Sequence, residues 1–414
     1  MREMKDSGIA WVGEIPKEWS VWRNKYIFKI TKDIVLPSQN YQLLSLTTTG
    51  IKEKDENDNG GKVPENYDGY QIVKENDLVM CLFDLDCSAV FSGLSLYNGM
   101  ISPAYKVLKV KKRIANEQYY RYWFNYVGSK RFYKQYSKSL RFTLNADEFN
   151  RLFSLLPPLA EQQEIADFLD RECGKIDGLK ADIQAQIDTL EQYKRSVITE
   201  AVTHGLNPSA PMKDSGIPWV GEFPTHWTKK KGKYILRYMS KPVKQDDGVI
   251  TCFRDGEVTL RSNRREDGFT MADKEIGYQG VDVGDLVVHG MDGFAGAIGI
   301  SDSRGKASPV LNVLNTKQNK KYIMYYLRSM AYGEVFTALS TGIRVRSCDL
   351  RWNKLAELLY PLPPIDEQNN IVSYIDNQIA RTNEIIVDKK SQIETLDGYK
   401  KSLIYEYVTG KKEV

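Results

Sequence analysis

The residues of this 414-residue chain that could do chemistry are three histidines, five cysteines and a set of arginines outside the regular patterns. His204, His226 and His289 are far apart and lack the nearby His, Cys or Asp that a zinc or HExxH site needs. No GxxxxGK[ST] phosphate loop and no GxSxG nucleophile turn is present. Cys81, Cys87, Cys173, Cys252 and Cys348 form no CxxC pair and no closely spaced framework, which suits free thiols in a reducing cytoplasm. The arginines point elsewhere. Arg254, Arg261, Arg264, Arg265, Arg344 and Arg346 lie in loop-like stretches, as does Arg141 with Lys138 and Ser139 before it. Arginine is the usual bidentate partner of guanine, so these are the candidate base readers. Each could instead serve a surface salt bridge.

A formal net charge of +4 hides an uneven distribution. Residues 106–141 carry eleven Lys/Arg against one acid, Glu117, and residues 225–265 carry eleven against four. Residues 161–204 carry ten acids and five bases. Basic regions this dense favour a polyanionic partner. Residues 106–141 also hold nine aromatics, several at helical spacing (Tyr120, Phe124, Val127), which assigns most of them to a core. Asp292-Gly293-Phe294-Ala295-Gly296 faintly resembles the Gly-rich turn of S-adenosylmethionine-dependent methyltransferases. No [ND]PP[YF] motif accompanies it, so a turn between strands is the better reading. No apolar run is long enough for a membrane span, and no leader pattern opens the sequence.

The chain repeats itself. Met4–Trp19 (MKDSGIAWVGEIPKEW) returns 208 residues later as Met212–Trp227 (MKDSGIPWVGEFPTHW), identical at twelve of sixteen positions. Lys25-Tyr26-Ile27 returns as Lys233-Tyr234-Ile235, and Asp77-Leu78-Val79 as Asp285-Leu286-Val287. Pro157-Pro158-Leu159-Ala160-Glu161-Gln162 answers Pro363-Pro364-Ile365-Asp366-Glu367-Gln368. Residues 36–70 and 242–280 barely align. One frame thus carries two fillings, either drifted surface loops or surfaces that contact different things. Arg141 and Arg344 fall at the same point of the repeat.

These residues need elements to place them. Each half should open with an extended Gly/Pro/Trp strap. Strands are expected at Tyr41–Thr47, Asp77–Phe83 and Tyr105–Val110, and at Gly248–Arg254, Asp285–His289 and Gly296–Ile300. Helices are expected at Glu117–Val127 and Lys320–Ala331, with short ones ending near Leu156 and Leu359. The paired prolines should then start long helices. Leu169, Ile176, Ile183, Leu190 and Val197 recur every seven residues, widened by Leu179, Ile187 and Tyr193, and Ile379, Ile386 and Ile393 keep the same step. Such a seam wants a partner helix, most simply the other one packed antiparallel, or else a second copy of the chain. Gly174 and Gly178 should weaken the first helix locally.

The heads DSGIAWVGEIPKEW and DSGIPWVGEFPTHW, the tails PPLAEQQEIADFLD and PLPPIDEQNNIVSYID, and the segment GDLVVHGMDGFAGAIGIS resemble the specificity subunits of bacterial type I restriction–modification systems. The resemblance covers essentially the whole chain. It implies an α+β chain with two pseudo-repeated globular α/β target-recognition domains separated by two long antiparallel coiled-coil helices. The expected division is recognition domain 1 at 1–156, a spacer helix at 157–205, recognition domain 2 at 206–362 and a second spacer helix at 363–414. It further implies a non-catalytic, cytoplasmic protein of host defence and DNA methylation. Double-stranded DNA would be read as a bipartite site. Two modification (methyltransferase) subunits would dock, and restriction (endonuclease/translocase) subunits would join them. No cofactor is expected in this chain, and S-adenosylmethionine, ATP and magnesium would belong to the partners. The competing readings are a coiled-coil scaffold without sequence-specific DNA recognition, an orphan specificity protein, and, disfavoured by the missing motifs, a stand-alone enzyme.

Overall fold

The computed structural model describes residues 2–35, 41–54, 67, 69–264, 276–339 and 350–414. They form two compact units. Unit 1 comprises residues 1–183 and 391–414, and unit 2 comprises residues 184–390.

Unit 1 is built on a four-stranded antiparallel sheet in the order Phe28–Thr31, Lys106–Val110, Leu78–Met80, Ser92–Leu94. Successive side chains of a strand point to opposite faces. Leu78 and Met80 therefore join the core under the helix Glu117–Ser129, while Val79 and Cys81 join a second cluster with Leu44, Leu46, Ile51 and Val73. Covering both faces explains why this strand reads as an unbroken apolar run. Unit 2 repeats the design with Leu236–Tyr238, Leu311–Thr316, Leu286–His289 and Ile298–Ile300 in the same order. There Leu286 and Val288 face the helix Lys320–Tyr332, and Val287 faces a cluster with Ile250, Val258 and Val281.

The opening strap of each unit is a small hairpin, Met4–Asp6 with Glu14–Pro16 and Met212–Ile217 with Gly221–Pro224. It leads to Trp19 or Trp227, each fully buried. The next strand, Ser20–Arg23 or Thr228–Lys231, pairs with Phe153–Leu156 or Leu359–Leu362. This corrects one expectation: the first short helix stops at Arg151, and Phe153–Leu156 is strand. The second ends at Glu357, close to the expected Leu359, and the strand Leu359–Leu362 follows it.

The long helices run Leu159–His204 and Ile365–Val408, about 69 and 66 Å at 1.5 Å per residue. The prolines precede them: Pro158 and Pro364 accept the first intrahelical bonds, from Gln162 and Gln368. A proline there costs nothing, because the N–H it lacks would have no helical partner. The first helix continues through Gly174 and Gly178. The helices pair antiparallel within each unit. In unit 1 Lys180 meets Asp397 at 2.5 Å and Lys400 meets Asp177 at 2.6 Å. In unit 2 Lys194 meets Asn383 at 2.8 Å and Lys389 meets Gln186 at 2.5 Å. Leu169, Ile176, Ile187, Ile198, Ile375, Ile386 and Leu403 are buried along this seam. Leu179 and Tyr193, expected to widen the stripe, are instead half exposed, at 53% and 47%. At 100° per residue they have rotated off the contact face.

Candidate nucleic-acid interface

The duplicated motif residues assemble the frame. Glu161 accepts from the Trp19 indole at 2.9 Å and pairs with Arg2, and Glu367 accepts from the Trp227 indole at 3.0 Å and from His226 at 2.7 Å. Gln162, fully buried, donates to Pro157 and Ile114 carbonyls and accepts from the Asn116 amide. Gln368 does the same work with Pro363, Gln318 and Asn319. Tyr119 donates to the Val408 carbonyl, and Tyr322 to that of Val202. A buried amide satisfied at both ends fixes one geometry, since each unmade bond would cost roughly 1–3 kcal/mol. The Glu-Gln pair is therefore structural and holds the helix start against the domain.

Many of the basic residues in the sequence windows are committed to acids outside those windows. Arg121 pairs with Asp170, Lys109 with Asp33, and Lys231 and Lys233 with Glu357. Lys241 binds Asp282 and Asp285. Beyond the windows, Arg304 binds Asp282 and Asp247, the latter an acid of the second window, and its guanidinium holds the Asp247 carboxyl down at about 2. Seven of the nine aromatics of 106–141 are buried, leaving Phe132 partly covered and Tyr136 exposed.

The predicted base readers divide by unit. In unit 1, Lys138, Ser139 and Arg141 stand together on one exposed loop after the short helix Phe132–Tyr136. Arg141 is 82% exposed and only 3.5 Å from Asp84. In unit 2, Arg254, Arg261 and Arg264 line a single cleft of about 750 Å³ floored by Ile250, Cys252 and Val310. Arg254 donates to Asp292 at 2.9 Å, and Arg261 to the Thr251 hydroxyl at 3.4 Å. Arg264 pairs with Asp255 at 2.7 Å and Glu257 at 3.2 Å and lies over the Phe253 ring. Arg265, Arg344 and Arg346 lie outside the described residues.

The same cleft contains His289, which stands far from the other histidines in the sequence. His289 accepts the Asp292 and Met291 amides on Nδ1, at 2.9 and 3.2 Å. Burial, reinforced by the Arg254 cation and opposed by Asp292, pushes its pKa below the ordinary value. A ring accepting at Nδ1 is neutral and carries its hydrogen on Nε2, a donor assigned from the bonding network. Arg254 also borders a second cleft of about 780 Å³ with Lys194, Arg195, Arg328 and Tyr332. Arg195 and Arg328 both lie over the Tyr332 ring, at 5.3 and 5.6 Å. Nothing in the linear sequence brings residues 195 and 328 together. The glycines of the intervening turn are structural. Gly296 has φ +93°, and a Cβ on Gly299 would meet the Gly256 carbonyl at 1.9 Å. No group of His, Cys, Asp and Glu among the described residues could hold a metal ion. No helix among them is long and apolar enough to cross a membrane.

Among solved structures, a chain from work described as the structural basis underlying complex assembly and conformational transition of the type I R-M system superposes with a TM-score of 0.67 at 12% identity. The match covers 96% of this chain and 99% of that one. The two share a fold. The HsdS subunit from Thermoanaerobacter tengcongensis also matches, at TM-score 0.48 and 13% identity over 96% of this chain and 98% of that one. A type I restriction-modification S subunit from M. genitalium matches at 0.35 and 11%, over 94% and 96%. Both superpose too loosely to add to the comparison. No family model matches the chain, and no curated protein does.

Proposed function

We propose that this chain is the non-catalytic specificity subunit of a type I restriction–modification complex. The globular part of each unit reads one half of a bipartite double-stranded DNA site. The antiparallel helices set the gap between half-sites and dock two modification subunits, which restriction subunits join. S-adenosylmethionine, ATP and magnesium act in those partners. The observation that carries this reading is the near end-to-end fold match to a chain from a type I R-M system. The cationic fillings give it chemical sense: Lys138, Ser139 and Arg141 offer donors in unit 1, and Arg254, Arg261, Arg264 and His289 offer them in unit 2. Arginine and a neutral imidazole donor suit acceptors on base edges or phosphates.

Base-resolution mapping of methylated sites in cells with and without the gene tests the proposal. One asymmetric bipartite motif should lose its methylation when the gene is deleted. An unchanged methylation map would reject it.

A further inference from the structure

Leu140 is 101% exposed, more than any other large hydrophobic side chain among the described residues. It sits on a loop whose backbone is tied down. The Asp84 and Leu85 amides donate to the Arg141 and Phe142 carbonyls at 3.2 Å each, and Leu144 donates to Leu82 at 2.8 Å. Within the loop, the Thr143 amide donates to the Ser139 hydroxyl at 2.7 Å, and the Ser137 hydroxyl to the Thr143 carbonyl at 2.9 Å. Phe142 adopts φ +45° and Asp84 φ +50°, both in the left-handed region that side chains with a Cβ avoid. Strain of this kind persists only where the surroundings hold it.

Cations outnumber acids around the tip. Lys138 and Arg141 flank Leu140 in sequence, and Lys134 reaches the Phe142 ring at 4.5 Å. Asp84 is the acid paired with Arg141. An apolar tip among exposed cations on a constrained loop fits a duplex better than it fits an apolar protein surface. The cations would neutralise phosphates while the leucine leaves water among the bases. The pair recurs in the sequence, since Ile343-Arg344 stands 203 positions after Leu140-Arg141.

Resting on the DNA-reading role proposed above, we infer that Leu140 is an apolar wedge that enters the base stack of one half-site, with Lys138 and Arg141 clamping the flanking phosphates. Specificity then comes partly from how easily the wedged step unstacks, because pyrimidine–purine steps open most readily.

The test uses the full chain and a duplex carrying the mapped site, with 2-aminopurine scanned through each half. Wild type should raise the fluorescence at one step of one half-site. Leu140→Ala should abolish that rise and weaken binding about tenfold, without changing the salt slope. Leu140→Met should retain both, and Lys138→Ala should lower the salt slope by about one. Leu140 is solvent-exposed, so the variants should melt like wild type. Selective wild-type binding with an unaffected Leu140→Ala variant overturns the wedge alone, as does an affinity loss without a fluorescence change. Loss of co-purifying protein subunits with DNA binding intact also overturns it, in favour of a protein contact. A wild type that binds no duplex selectively overturns both the wedge and the reading beneath it.

Discussion

The frame and the filling of this chain solve different problems. In the frame, the two units place the same side chains in the same contacts: Trp19 on Glu161 and Trp227 on Glu367, Tyr119 on Val408 and Tyr322 on Val202. In the filling they diverge. Unit 1 offers cations on a projecting loop with an apolar tip, whereas unit 2 sets its arginines into a cleft, each oriented by a carboxylate or hydroxyl. A projecting loop suits penetration, and a cleft suits the gripping of something that enters it. Duplication followed by divergence has kept one scaffold and made two kinds of contact surface.

The comparison breaks most severely at the tryptophans. Trp19→Ala and Trp227→Ala should each cost about 3–5 kcal/mol, since each empties a fully buried site and leaves a carboxylate without its donor. Hydrogen exchange resolved by unit should show matching losses. Protection falling in one unit only, for both variants, would show that the frames are not equivalent.

Arg254→Ala should act the other way, leaving stability near wild type because its pair with Asp292 is partly exposed. It should weaken binding by roughly 1–3 kcal/mol and relax selectivity in the second half-site alone. Equal weakening on every sequence would mark a phosphate contact instead.

The smallest effect is expected in the helix pair. A double-mutant cycle on Lys180 and Asp397 should return a coupling of about 0.2–1 kcal/mol, as partly exposed ion pairs do. A coupling of several kcal/mol would mean that the seam depends on this pair rather than on its buried Ile and Leu residues.

The frame was legible because it is written twice. Twelve identities in sixteen and the repeated Glu-Gln after paired prolines located its parts, and the seven-residue step located the helices. Leu179 and Tyr193 misled because an unbent 3.6-residue helix drifts off a strict heptad. The end of the first short helix misled because apolar residues there serve a strand paired with a segment about 130 positions away. The site was legible as composition and not as geometry. Charge windows counted Lys241 as free, yet its carboxylate partners Asp282 and Asp285 lie tens of residues distant. His289 and Arg328 gained meaning only when strands and helices brought Arg254 beside them.

The packing of segment 391–414 has a consequence for how the molecule is made. Leu403, Ile404 and Val408 belong to the same core as Trp19 and Tyr119, so unit 1 lacks part of its interior until they arrive. Unit 2 is one uninterrupted stretch, residues 184–390. At a synthesis rate of roughly 5–20 residues per second, the first repeat to leave the ribosome waits about 10–40 s for its missing wall while the second is being translated. The repeat that is made first is therefore the one completed last.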